Sequence, residues 1–262
     1  MSDLVAPGQG VLRVAEREAR VWRRFWHTSV LTGVLMPLLF VGAIGGGLGD
    51  LVDQNRGTVE GVSYLVFVTP GILCATALQA ATGSSLWPVM GGLKWTRTFH
   101  AAAATPVSPA QVYLGYLGWI GARLGLNATL FVLVAALLGA IPSAWGVLAV
   151  PAAVLGGLAF AAPVCAFSAA QDSDLIFTTI FRLVVIPMFL FSGTFFPVEQ
   201  LPDAVEPLAR LLPLWHAVEL GRGATTGTLG LVDAVAHGGV LAAFVVAGAW
   251  AGTRVFASKL AA

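Results

Sequence analysis

Apolar and polar residues alternate in long blocks along this chain. Six blocks have the roughly 20 mostly apolar residues that a membrane helix needs: Thr28–Gly49, Val62–Thr82, Gln111–Ile141, Trp145–Ala169, Leu175–Phe196 and Val235–Phe256. None has the two-residue alternation of a barrel strand. Backbone amides in lipid must be satisfied within their own segment, so the pattern predicts helices. The third block is the longest and has room to tilt or to project beyond the bilayer.

Two further segments are amphipathic without being long enough to cross. In Val11–Trp26, Leu12, Ala15, Ala19, Trp22 and Trp26 recur at three- and four-residue steps, while Arg13, Glu16, Arg17, Arg20, Arg23 and Arg24 fall largely elsewhere. That predicts a basic helix lying along a membrane surface. After Phe196, Pro197, Pro202, Pro207 and Pro213 forbid one continuous helix. The stretch to Arg222 is too apolar for a solvent loop and too charged to cross. It predicts short helices that dip into a membrane face, with Glu199, Asp203, Glu206, Arg210, Glu219 and Arg222 turned to water or to one another.

Composition agrees with the pattern. Of 262 residues 57% are hydrophobic and 10% charged, against about 25% charged in soluble domains. The expected fold is therefore an all-α polytopic membrane protein with six transmembrane helices, an amphipathic interfacial helix and short re-entrant helices between spans five and six. Residues 1–27 form the cytoplasmic segment and 28–262 the membrane domain. No cleavable signal is expected, because the first apolar block is too long for one.

The net charge of +1 decides nothing, whereas its distribution does. Arg13 to Arg24, then Lys94 and Arg97, then Arg254 and Lys259 fall on one side. Arg56, Arg210 and Arg222 share the other with Asp50, Asp53, Glu60, Glu199, Asp203, Glu206, Glu219 and Asp233. Both termini are expected to be cytoplasmic.

The cytoplasmic loop Gly83–Pro109 holds the cluster Lys94, Trp95, Thr96, Arg97, Thr98, Phe99 and His100. Exposed aromatics among cations suit either a docking surface or an interfacial anchor. Inside the spans, Arg123, Asn127 and Arg182 are costly unless paired or able to snorkel, and Asp172 and Asp174 are the available partners. Gly121 and Gly125 suit close helix packing, within the chain or between copies. Phe177, Phe181, Phe189, Phe191, Phe195 and Phe196 either line a path or fill space between helices.

Chemistry of other kinds finds little footing. There is no GxxxxGK[ST] loop for ATP, no HExxH and no GxSxG. Cys74 and Cys165 lie in apolar runs, and the four histidines lack metal-ligand spacing, so no metal or resident cofactor is expected. Asp172-Ser173-Asp174 superficially matches the DxD of sugar-nucleotide enzymes. That leaves a membrane enzyme acting on lipid-linked sugars as one alternative and an ATP-independent carrier as another.

FSGTFFPVEQLP at Phe191–Pro202, PLWHAVELGR at Pro213–Arg222, YLVFVTPGILCATALQAA at Tyr64–Ala81 and the Trp87–Pro109 loop resemble permease subunits of type-2 ABC exporters. They are most similar to the branch that includes the nodulation lipo-chito-oligosaccharide exporter and actinobacterial drug-export permeases. Ser192, Gly193, Phe196, Pro197, Leu201, Pro202, Pro213, Glu219 and Arg222 carry the re-entrant signature. The resemblance implies an exporter of amphiphiles (lipo-oligosaccharide, glycolipid or hydrophobic drug) in a bacterial cell membrane. It implies two permease copies, with a homodimer expected, and two cytosolic ATPase subunits that bind ATP and Mg. It also implies contacts with membrane lipids and none with nucleic acid. Lys94, Trp95, Arg97, Phe99 and His100 would meet the ATPase. Phe177, Phe181, Phe189 and Phe195 on span five would flank a lateral gate with span one. The external loops are too short for a large extracytoplasmic domain.

Overall fold

Helical amide bonding accounts for nearly every apolar block. The computed structural model describes residues 7–27 and 31–261. In chain order, α1 is Pro7–Trp22, α2 runs over 31–56, α3 is Tyr64–Ser85 and α4 is Trp87–Met90. Then follow α5 at Thr98–Ala103, α6 at Pro109–Leu137, α7 at Ala149–Ala170, α8 at Leu175–Phe191 and α9 at Glu206–Arg210. Finally, α10 is Pro213–Thr226 and α11 is Leu231–Leu260. The expected start of the first span, at Thr28, lies outside the described residues, as do the side chains of Asp50 and Arg56.

Among the described residues four helices are long and apolar enough to cross a membrane: Tyr64–Trp95, Pro109–Leu137, Ala144–Ala170 and Leu231–Leu260. The first extends past the expected Thr82, through α4 and a wide turn at Gly91–Trp95. Much of the expected Gly83–Pro109 loop is therefore helix. The third apolar block ends as helix at Leu137, because Gly139 takes a positive φ of 75° and Pro142 follows. The fifth stops at Phe191 rather than Phe196, where Ser192 to Phe196 leave helical geometry. A wide π-type turn at Phe181–Val185 precedes Pro187, whose missing N–H breaks the regular bonding pattern there.

The core is assembled around α7, which packs on α3, α6, α10 and α11. Small residues permit the contacts. A Cβ at Gly248 would lie 2.5 Å from the Pro163 nitrogen, and one at Gly252 would lie 2.1 Å from Tyr113 Cζ. The Tyr113 hydroxyl fills the seam, donating toward the carbonyls of Ala162 at 2.8 Å and Gly248 at 3.2 Å. Gly121 and Gly125 face Leu158 and Val154 of α7, so this glycine pair serves packing within the chain. Around this core Leu133, Leu137, Val235, Val246 and Trp250 stand exposed, as the lipid-facing belt of a polytopic membrane protein does.

The amphipathic helix spans Pro7–Trp22 rather than Val11–Trp26, and it lies along α6. Val14 is buried against Gly115, and Trp22 meets Trp119 edge-on at 5.9 Å. Leu12 and Trp26 remain exposed, so the apolar stripe is divided between α6 and the surroundings.

Candidate functional site

Two polar regions stand at opposite ends of α3. The first surrounds Lys94–His100. The wide turn places Lys94 and Trp95 at the end of the 32-residue helical run, with Trp95 61% exposed. Arg97 caps the next helix in the left-handed region, at φ 52°. A residue without glycine's freedom holds that conformation at a cost, and the turn projects the Arg97 side chain outward.

Lys94 Nζ donates to Asp172 Oδ1 at 2.9 Å, and Lys259 Nζ lies 3.9 Å from the same oxygen. The two ammonium groups hold the exposed Asp172 carboxyl below its usual range, the hydrogen bond from Lys94 contributing most. Asp172 thus ties the loop to the end of α11. Beside them, α1 and α5 border a groove of about 420 Å³, with Arg13 and Arg17 on one wall and Thr98, Ala102 and Val107 on the other.

Phe99 belongs to the core and not to this surface. It is 2% exposed, packed on Tyr116 and Phe256 at centroid distances of 5.3 and 5.4 Å, and seated over Gly92. His100 is half-buried, with no partner for Nδ1 among the described residues.

The expected pairing of Arg123 with Asp172 or Asp174 does not form. Arg123 instead bonds to Ser84 Oγ and donates to the Ala80 carbonyl at 3.4 Å. Ser84 lies one helix away on α3, whereas Asp172 is taken up by Lys94 and Asp174 is half-buried at the loop. Asn127 faces a small cavity of about 20 Å³, its Oδ1 without a partner among the described residues. Arg182 is exposed on α8 and makes no ion pair among the described residues.

The span-five phenylalanines divide. Phe177 is fully buried, edge-on to Trp87 at 5.7 Å beside Leu86 and Met90, so it fills space between helices. Phe181 is half-buried against the core, and Phe189 meets Phe195 edge-on at 5.1 Å.

The second region lies at the Tyr64 end of α3. Ser192 to Pro197 form an irregular segment pressed on α3: a Cβ at Gly71 would come 2.7 Å from the Thr194 carbonyl oxygen. Gly193 adopts φ 77°, and the buried Ser192 and Thr194 hydroxyls lie 3.3 Å apart. Arg222 holds the segment in place. It is 6% exposed, donates from Nη2 to the Gly193 carbonyl and from Nη1 to Glu219 at 2.8 Å, and lies 4.0 Å over the Phe67 ring. Burial pushes the Glu219 carboxyl above its usual range, against the pull of Arg222.

Phe196 and Pro197 lead into a satellite core of Val198, Leu201 and Ala209, with Pro202 between the last two, and Pro213 opens α10. Arg210 bonds Glu206 at 2.6 Å and Glu199 at 3.3 Å. Glu199 and Glu206 thus meet Arg210, and Glu219 meets a buried Arg222, while Asp203 is exposed.

Sequence reasoning missed one pair: His216 Nδ1 and His237 Nδ1 lie 2.8 Å apart, with Trp215 packed on both rings. Their separation of 21 residues gave no local spacing to read. Burial, then His237, holds His216 below its ordinary value.

The comparisons agree with this architecture. Residues 10–225 match the model of the ABC-2 type transporter family. Nodulation protein J of Rhizobium meliloti (strain 1021) is 32% identical over 260 residues, covering 99% of this chain and 97% of that protein. Nodulation protein J of Rhizobium leguminosarum bv. viciae is 31% identical, covering 94% and 93%. The inner membrane transport permease YadH of Escherichia coli (strain K12) is 26% identical, covering 88% and 86%. With its apolar helices and these relatives, the chain belongs to the ABC-2 type transporter family and is a membrane transport subunit of the kind that pairs with an ATPase.

Proposed function

We propose that the chain is the permease of a bacterial ABC exporter that moves an amphiphile out of the cytoplasm or the inner leaflet. Two copies, alike in sequence, face two copies of a cytosolic ATPase that holds ATP and Mg. Each permease crosses the inner membrane six times with both termini in the cytoplasm, α2 and α8 supplying the spans next to the four long helices. The basic α1 and the Lys94–Arg97 turn then share the cytoplasmic side, and Glu199–Arg222 the external side.

The observation that carries this reading is the turn at Lys94–Arg97. An exposed Trp95 and Arg97 stand at the end of one helical run that leads from Trp95 to Tyr64. Closure of the ATPase against the turn would push on α3, and α3 is in contact with the Ser192–Pro197 segment through Gly71 and Tyr64. The Tyr64 hydroxyl donates to the Phe195 carbonyl at 3.1 Å. The helical run, bent at Leu86, is a physical link between the two ends. Phe99 supports the turn from below, and α8 with α2 forms the gate.

Co-purification with the ATPase tests the reading. Trp95→Ala with Arg97→Ala should reduce ATPase capture about tenfold, because aromatic and arginine anchors dominate interfaces, while membrane insertion stays intact. Unchanged capture would sink the docking role of the turn.

A further inference from the structure

His216 and His237 reach one another from different elements. Pro213 opens α10, so Trp215 and His216 stand in its first turn. α11 begins at Leu231, which puts Asp233 in its first turn and His237 in its second. At 30 residues α11 is about 45 Å long, against about 30 Å of hydrocarbon, so its first turns have room at the aqueous rim. His237 also lines a cavity of about 580 Å³ with Glu60, Glu219 and Asp233, which gives protons a route to the pair.

The rings meet through like atoms, Nδ1 to Nδ1, at 2.8 Å. An imidazole nitrogen donates only when it carries hydrogen and accepts only when it does not. With both rings neutral, one supplies the hydrogen and the other the lone pair. One added proton leaves the contact standing, because the cationic ring donates to the neutral one. A second proton removes the last acceptor and sets two positive rings against each other. The contact therefore fails at the second proton, and the rings titrate as a pair rather than singly. Both are half-buried, and Trp215 packs on them at 4.8 and 5.0 Å, so water is a poor substitute for the lost partner.

The charges around the pair are few. On α10 itself Glu219 is matched to Arg222. From α9, Arg210 lies 5.8 Å over Trp215, its own charge met by Glu206 and Glu199, and its carbonyl favours a charged His216. α11 brings Asp233, and the 59–62 turn brings Glu60 across the cavity. α3 and α7, which also pack on α10, hold no carboxylate or cation; their titratable groups are Tyr64, Cys74 and Cys165, neutral near pH 5–7. α6 meets α11 through Tyr113 at Gly248 and Gly252, about three turns beyond His237.

We infer that the His216–His237 contact is an acid-released latch, holding the start of α10 against α11 while at most one ring is protonated and freeing it when both are. Parted rings each take a proton near the ordinary histidine value, whereas the joined pair resists the second. Lower pH therefore favours the parted form. α10 carries Arg222, which holds the Ser192–Pro197 segment at the Gly193 carbonyl, so release at the pair loosens that segment too. The latch does not depend on what the chain transports or in which direction.

Hydrogen exchange of the purified chain in nanodiscs tests this at about pH 7.5 and about pH 5, with intrinsic rates corrected for pH. Protection at 213–219 and 231–238 should fall about tenfold at the lower pH, the worth of one buried hydrogen-bonded contact, while α7 stays protected. His216→Gln and His237→Gln each keep a side chain that can donate or accept and remove one titrating ring. Each should abolish the acid response. In the unmodified chain, exchange at the imidazole C2 hydrogens should show two separated steps, and in each variant a single one. Equal protection at both pH values, a fall that persists in both variants (which would assign it to Glu219), or rings that titrate independently would overturn the inference. The ring titration needs no variant, so it decides even if a substituted chain fails to fold.

Discussion

Arg222 shows how one residue can hold a segment that has no regular structure. Its guanidinium joins Glu219, the Gly193 carbonyl and the Phe67 face at a buried position. Removing one partner of such a group leaves the other uncompensated, at about 3–5 kcal/mol. Arg222→Met should therefore lower the unfolding temperature by roughly 6 °C or more, read by a thiol-reactive dye at the buried Cys74 and Cys165; an unchanged temperature would mean that Ser192–Pro197 is held by other contacts. Gly71→Ala should cost about 1–3 kcal/mol, because its methyl has backbone rather than a flexible side chain to displace. His216 makes the response to acid readable. The unfolded chain binds its proton near the ordinary value of 6.5, and the folded chain only at lower pH. More protons are then bound in the unfolded state, so stability falls as pH drops below about 6.5. His216→Gln should flatten that fall below about pH 6.5; an identical slope in both proteins would assign it elsewhere.

At the scale of elements, what could be read from the chain depended on whether the controlling partner was local. Apolar length and internal amide bonding located α3, α6, α7 and α11 to within a few residues, because a helix in lipid satisfies itself. Local sequence puts Phe99 on the docking surface, because its neighbours Lys94, Trp95 and Arg97 are polar or interfacial. Its burial depends on Gly92, Tyr116 and Phe256, the last 157 positions away. Arg123 follows the same logic: its charge points to an acidic partner, and the fold supplies Ser84 and a carbonyl instead. Arg123→Ala should weaken the α3–α6 contact by about 1.5–3 kcal/mol, since hydrogen bonds to a charged group are worth that much. Mass spectrometry of hydrogen exchange at residues 80–86 would detect it, and protection equal to the unmodified protein would remove Arg123 from that contact. The division of 197–226 into short helices is legible from its prolines, but the His216–His237 contact is not, because it depends on how α10 leans on α11.

For the whole molecule, the two polar ends carry different chemistry. One end presents Lys94, Arg97, Arg13 and Arg17; the other presents Glu60, Glu219 and Asp233 around a cavity. That asymmetry suits a machine that meets an ATPase on one face and releases cargo at the other, as proposed above. It sits poorly with an enzyme built on Asp172 and Asp174, since Asp172 is spent on two lysines in open solvent. Asn at both positions should leave most transport intact, whereas an enzyme would lose nearly all turnover.

The most direct test of the central claim is transport of a labelled amphiphile into inverted proteoliposomes. The account predicts uptake only with the partner ATPase and ATP together, no hydrolysis by this chain alone, and loss of uptake in the Trp95→Ala, Arg97→Ala protein. Equal uptake by this chain without any ATPase would contradict it.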